Sequence, residues 1–285
     1  MLVKIRPETR QDIEPCGRIL FEAFKDVFER HHFPPPFSST EKACQSLEFY
    51  FRHPSWCGLV AEVDGQVVGS CFVDERDLIR GIGPVSIDPR FQKSGVGRRL
   101  MEAMLERCSG AAGMRLTQDA FNTASISLYT SLGFKVREPI VGLKGRLKGR
   151  ALKKIKVLPL RREGLQACDA LCHKVHGIPR TNELRDAVRE STALAAVRDG
   201  RITAYASSVS RQGHGVAETD EDLQAVLLFA QARYKRPISL LVPARQADFL
   251  RWCLNQGLRV VDPLTLMTVG RYQEPEGCFF ISVRY

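Results

Sequence analysis

Apolar residues recur along this chain with both helical and extended spacings, and the clearest helical run passes through Val96, Leu100, Met104 and Cys108. These four fall at four-residue steps, while Arg98, Arg99, Glu102 and Glu106 take other positions, the pattern of a helix with one buried face. A β-prone run, Pro84 to Ile87, leads into it through a turn punctuated by Gly95 and Gly97. Downstream, Met114–Gln118 reads as a short strand and Ile126–Leu132 as a helix closed by Gly133. The strands near 82–88 and 114–118 are expected to run parallel, because the Val96–Cys108 helix connects them.

The plan is written twice. Val3-Lys4-Ile5-Arg6-Pro7 with Arg10 and Cys16 matches Ile155-Lys156-Val157-Leu158-Pro159 with Arg162 and Cys168 at a constant offset. Val63-Asp64-Gly65-Gln66-Val67 pairs with Val197-Arg198-Asp199-Gly200-Arg201-Ile202, and Asp-Gly between apolar runs signals a hairpin turn. Leu128–Val136 matches Trp252–Val260, with Gly133 over Gly257 and Cys253 where the first copy has Tyr129. The expected domains are therefore 1–150 and 151–285, joined near 145–155 where glycine and lysine dominate.

At 285 residues, 44% hydrophobic and 26% charged, the chain suits two globular domains. No apolar run approaches the length of a membrane span, and the stretch Met1–Pro7 has charges in place of a secretory core, so cytoplasmic residence is the expectation. The nine cysteines are scattered through apolar patterns. Cys168 and Cys172 lie near His173 and His176, but no second cluster completes a ligand set, so no metal is expected.

The net charge of +10 resides in one place. Residues 135–162 hold 11 Lys/Arg against one acidic residue, whereas the flanking segments are nearly balanced. A solvated strand edge and linker is the favoured reading of that stretch. Nucleic-acid association through Lys144–Lys156 ranks last, since no recognition helix or aromatic–basic interleaving accompanies it.

The glycine-rich turn carries the chemistry. Strand, glycine loop and helix N-terminus in that order make a pyrophosphate cradle: the orphan N–H groups and positive dipole end attract phosphate, and glycine removes the Cβ that would block its approach. The spacing is neither G-x-G-x-x-G nor a Walker loop. It is Gln92-x-x-Gly95-x-Gly97, which resembles the coenzyme A loop of GNAT-superfamily N-acetyltransferases. A second signature of that family is matched at Asn122, Ser125, Leu128, Tyr129, Leu132, Gly133 and Phe134.

The resemblance covers residues 1 to about 145. It implies an α/β (α+β) fold of two acyl-CoA N-acyltransferase-like (GNAT) domains in tandem, each a curved mixed sheet flanked by helices. It further implies an acetyl-CoA-dependent N-acetyltransferase acting directly on a primary amine, small-molecule or peptide. The alternative is a non-catalytic acyl-CoA-binding or regulatory protein. By the same resemblance, Ile87 N–H would meet the thioester carbonyl, and Gln92, Lys93, Ser94, Gly95, Val96, Gly97, Arg98 and Arg99 would surround the pyrophosphate. Asn122 and Ser125 would face the pantetheine arm, and Tyr129 would be the general acid. For the base, Asp74 and Glu75 follow the apolar run Val67–Val73, and Asp119 ends a central strand.

His31 and His32 precede Phe33-Pro34-Pro35-Pro36 in a loop that would border the acceptor, and Phe37, Phe49, Tyr50, Phe51 and Trp56 supply core or pocket. In the second copy the helix expected to follow the cradle opens with Glu218-Thr219-Asp220-Glu221-Asp222, which would repel a pyrophosphate. That domain is read as degenerate, with packing, shaping of the acceptor cleft or homodimerisation as its role.

Overall fold

The Asp-Gly pairs produce the turns they predict. Asp64 and Gly65 take φ of 49° and 78°, and Asp199 and Gly200 take 51° and 77°, the left-handed pair that a two-residue hairpin loop needs. The computed structural model describes residues 2–149, 152 and 154–284. Arg150 and Ala151, where the sequence boundary falls, and Lys153 of the basic stretch lie outside the described residues.

The elements are β1 (Lys4–Pro7), α1 (Ile13–Arg30), α2 (Thr40–Arg52), β2 (Trp56–Val63), β3 (Gln66–Asp74), β4 (Ile79–Ile87), α3 (Val96–Arg107), β5 (Gly113–Asp119), α4 (Thr123–Ser131) and β6 (Lys135–Gly145). The second half continues with β7 (Lys156–Pro159), α5 (Leu165–His176), α6 (Thr181–Arg189), β8 (Leu194–Arg198), β9 (Arg201–Ala206), β10 (Gly215–Ala217), α7 (Asp220–Tyr234), β11 (Ile238–Pro243), α8 (Ala247–Asn255), β12 (Leu258–Gly270) and β13 (Cys278–Phe280). From β7 to β12 the order of strands and helices repeats that from β1 to β6. Even the bulges repeat: β2–β3 shifts register after Ala61 and β8–β9 after Ala196.

The chain packs as two units, residues 1–116 with 121–135, and 117–120 with 136–285. In the first, β1 to β4 form an antiparallel series, and β4 then pairs with β5 in parallel. Its aromatic core joins Tyr50, Trp56 and Phe72, with Phe49 and Phe51 packed against it. Tyr50 and Trp56 stack at 4.5 Å.

In the second unit, β7–β8–β9–β10–β13 form an antiparallel sheet under α7. A further set runs from the end of β5 through β12 and β6 to β11. Here the terminal strands are exchanged between the repeats. β6 pairs with β11 of the second repeat, and β12 lies beside β5 of the first. This corrects the reading of the basic stretch as a sheet edge. β6 has neighbours on both sides, and the chain meets water through outward side chains such as Lys144 and Lys148.

Candidate active site

The parallel ladder between β4 and β5 covers only Ile79–Gly81 and Gly113–Arg115. β4 runs on for six residues with β3 as its partner, and Ile87 pairs in register with Gly69. Asp88 N–H donates to the Val68 carbonyl at 2.9 Å. Successive residues of a strand direct their backbone polar groups to opposite edges, so the Ile87 N–H points away from β3, toward the edge whose ladder has stopped.

The loop that follows is tightly built. Asp88 caps a short turn at Pro89–Phe91, accepting from Arg90 N–H at 3.0 Å, and the Arg90 guanidinium holds its buried carboxyl below the usual range. Gln92 Nε2 donates to Ile87 O at 3.4 Å, and Ser94 Oγ to Phe91 O at 2.5 Å. Lys93 (φ 61°) and Gly95 (φ 88°) turn the chain into α3, whose first N–H groups have no intrahelical acceptor. Lys93, Ser94, Gly95, Arg98 and Arg99 are exposed in whole or part, and Val96 anchors the helix in the core. Arg98 reaches Ser131 Oγ at 2.6 Å.

Gly97 brings three parts together. A Cβ there would lie 3.4 Å from Ile87 Cγ1 and 3.7 Å from Leu128 Cδ2, so strand end, loop and α4 converge on it. α4 begins at Asn122, whose Oδ1 accepts Ser125 N–H at 3.2 Å while Ser125 Oγ donates to Asn122 O at 2.9 Å. This cap uses the Asn122 oxygen and leaves its Nδ2 as the donor that can meet a ligand. Tyr129, buried and 6.0 Å from Phe134 between ring centres, shares α4 with Leu128, and Gly133 (φ 89°) ends the helix as expected.

Asp74 and Glu75 are not brought to this loop. Asp74 ends β3 opposite Gly81, the last rung of the β4–β5 ladder, whereas Ile87 is six residues on, about 20 Å along an extended strand. The Asp74 carboxylate is clamped by Arg76, with Nη2–Oδ2 at 2.5 Å, and Glu75 accepts from Arg107 at 3.0 Å. Both carboxylates are thus held in ion pairs at the other end of the strand.

Asp119 differs. It is the last residue of β5 and packs in the second unit. Burial and the neighbouring Asp262 carboxylate push it up to about 7, against the pull of Arg211.

Phe121, two residues later, carries no weight in the sequence patterns, yet Phe33 stacks on it at 4.4 Å and Phe28 meets it edge-on at 5.1 Å. The ring of His31 lies 5.3 Å from it, while His31 Nδ1 contacts the Val27 carbonyl. The sequence signal was its place between Asp119 and Asn122, where neither a helix nor a strand pattern claims an aromatic.

Among the described residues the second repeat opens the corresponding helix differently. Asp222, wholly buried in the first turn of α7, accepts from Arg198, Thr203 and Thr219 side chains at 2.9, 2.8 and 2.6 Å, and Thr219 Oγ1 caps the helix by accepting Asp222 N–H at 3.3 Å. A buried set of Ser207, His214 and Glu183 invites comparison with a nucleophile triad, but the geometry denies it. Ser207 and Glu183 both meet His214 Nδ1, and Tyr205 occupies Nε2 at 2.9 Å.

A strand that leaves its parallel neighbour, a glycine cradle at the next helix and a tyrosine-bearing helix against it define an acyl-CoA N-acyltransferase-like fold. Residues 19–134 match the Acetyltransferase (GNAT) family. It is similar to N-acetylaspartate synthetase of Rattus norvegicus, 36% identical over 95 residues, 31% of each chain. It is also similar to the [ribosomal protein bS18]-alanine N-acetyltransferase of Escherichia coli K12, 40% identical over 64 residues, 22% of this chain and 40% of that one. The chain thus spans about a third of the first relative and two fifths of the second. Over nearly its whole length, 98% of this chain and 92% of the other, it shares its fold with a putative acetyltransferase from Pyrococcus horikoshii at a TM-score of 0.76 and 19% identity.

Proposed function

We propose that the chain is an acetyl-CoA-dependent N-acetyltransferase that moves the acetyl group directly onto a primary amine, with the donor held by the first repeat alone. The observation that carries this reading is the convergence of Ile87, Gly97 and Leu128, which sets an unpaired strand edge, a phosphate cradle and the Tyr129 helix side by side.

The residues fit the coenzyme. The N–H groups from Lys93 to Arg98 would bind the pyrophosphate, with the exposed Lys93, Arg98 and Arg99 adding charge. Asn122 Nδ2 would meet the pantetheine arm, and Ile87 N–H would polarise the thioester carbonyl. Acetyl-CoA supplies the activated acyl group. The amine nitrogen forms the C–N bond as the C–S bond breaks, a proton leaves the nitrogen for a base, and Tyr129 donates one to the departing sulfur.

Both curated relatives are named for amine acceptors, an amino acid and a protein alanine, and those two chemistries begin the acceptor screen. Calorimetric titration with acetyl-CoA tests the reading first. One site per chain, lost in Gly97→Glu, is expected, with turnover of a screened amine falling about a hundredfold in Tyr129→Phe. Two sites would return donor binding to the second repeat. Absence of binding at sub-millimolar acetyl-CoA would sink the function while leaving the fold.

A further inference from the structure

The charge concentrated in residues 135–162 does not protect a sheet edge. Lysines on an outer strand discourage stray pairing, but β6 lies between β12 and β11 and has no open edge to guard. Lys144 stands opposite Ser239 of β11. From there exposure alternates along the chain: Lys144, Arg146 and Lys148 face water, while Leu143 and Leu147 are buried.

A second basic group meets that row at the end of α7. Arg146 Nη1 donates to Lys235 O at 2.6 Å, Leu147 N–H donates to Gln231 Oε1 at 3.0 Å, and Gln231 Nε2 donates to Arg236 O at 3.1 Å. These bonds set the exposed Arg233, Lys235 and Arg236 beside the row that leaves β6. Lys235 closes the helix at a φ of 51°, where glycine would stand without strain, so this lysine is held at a conformational cost. Tyr234, half-buried, lies with the guanidinium carbons of Arg233 and Arg236 at 5.8 and 5.5 Å from its ring centre. Among the described residues none of these six cations pairs with a carboxylate. The acidic residues of α7, Asp220, Glu221 and Asp222, stand in its first turn, at the opposite end. A helix C-terminus gains from a nearby cation, but its dipole calls for neither the row from β6 nor an aromatic ring between two arginines.

We propose that this face of the second repeat binds single-stranded RNA, with backbone phosphates on the six cations and a base on Tyr234. The basic stretch lacks aromatic–basic interleaving in sequence, and the fold supplies it: the ring arrives on α7, whose end Arg146 meets across 89 positions of chain. A ring flanked by guanidinium groups takes an unstacked base of any kind, which a single strand offers and a duplex does not. An anionic membrane calls for large apolar side chains beside the charges, and a protein partner for an apolar anchor among them. The exposed neighbours in these two segments are Gly149, Ala232 and Pro237, none of them large. Ser239, half-buried opposite Lys144, adds a hydroxyl that a ribose 2′-OH can meet, which favours RNA over DNA. RNA binding here is independent of the acetyltransferase reading and gives the second repeat a role of its own.

The test is fluorescence anisotropy of a labelled oligouridylate of about 12 nucleotides titrated with the full chain. Binding is expected to weaken roughly fiftyfold between about 50 and about 200 mM salt, the dependence that about four neutralised phosphates give. Lys144→Gln combined with Lys148→Gln should lower the affinity about tenfold and flatten the salt dependence. Tyr234→Leu, which keeps an apolar side chain against the core, should lower it about tenfold with the salt dependence unchanged, because stacking releases no counterions. Lys174→Gln, an exposed lysine of α5, should change nothing, and the matching DNA strand should bind more weakly. Each variant should keep the melting temperature and acetyl-CoA affinity of the parent chain.

Absence of binding at low salt, or binding that the lysine and tyrosine substitutions leave intact, would overturn the proposal. So would a DNA strand that binds as tightly as the RNA. Polyglutamate or phosphatidylserine vesicles that displace the RNA equally well, with Tyr234→Leu without effect, would make the partner an acidic protein or a membrane and overturn it too. A chain that binds RNA as expected but no acetyl-CoA would overturn the functional reading alone and leave this site standing.

Discussion

On the proposed reading, Gly97 is the residue where protein stability and ligand binding ask for different side chains. Its backbone is helical, and a methyl group would meet Ile87 and Leu128 at ordinary van der Waals distance. Alanine is also the better helix former by up to about 1 kcal/mol. Gly97→Ala should therefore leave the melting temperature unchanged or raise it, while weakening acetyl-CoA about tenfold, because in the proposed binding mode the added carbon would stand where a phosphate approaches the backbone. Thermal melts with and without acetyl-CoA check both halves; weaker stability with intact affinity would contradict this account. Gly97, Asn122 and Tyr129 stand out in the sequence because their spacing follows a local pattern. Asp119 was legible only as a carboxylate after a strand, since its two charged neighbours, Arg211 and Asp262, belong to distant parts of the chain.

At the scale of elements, α3 and α7 occupy the same place in the two repeats and open in opposite ways. α3 begins behind an exposed loop at Gly95, with backbone donors presented to solvent. α7 begins at Thr219, whose Oγ1 accepts Asp222 N–H, and the buried Asp222 carboxylate puts a negative charge in its first turn. Removing that carboxylate strands Arg198 and two threonine hydroxyls, so Asp222→Ala should destabilise the chain by about 3 kcal/mol in urea denaturation and leave acetyl-CoA stoichiometry unchanged. A loss below about 1 kcal/mol would mean that the helix terminus is satisfied by other groups. The acidic opening was readable in the sequence, as were the hairpins at Asp64-Gly65 and Asp199-Gly200, because caps and tight turns are decided by a few adjacent residues. The Asp74–Arg76 clamp is just as local, whereas the distance of that carboxylate from Ile87 follows from the β4–β5 register.

For the whole molecule, the strand exchange sets what the halves can do alone. β6 ends the first repeat in sequence and is bonded to β11 of the second over six residue pairs, Ile140–Gly145. A fragment ending at residue 149 would expose the apolar face of β6, including the buried Ile140 and Leu143, and leave β5 without β12. Separately expressed fragments 1–149 and 152–285 should each be insoluble or unfolded, whereas co-expression should yield a co-purifying pair that binds acetyl-CoA. A soluble, coenzyme-binding 1–149 fragment would show that the exchange is dispensable. The sequence by itself determined the repeated order of elements, the hairpin turns and the glycine turn that opens α3, because each depends on contacts within a few residues or on one face of a helix. Tertiary structure alone decided which repeat each terminal strand joins, which carboxylates are locked in ion pairs and which one stands beside Asp262. Those outcomes depend on register and burial between segments far apart in the chain, where periodicity carries no information.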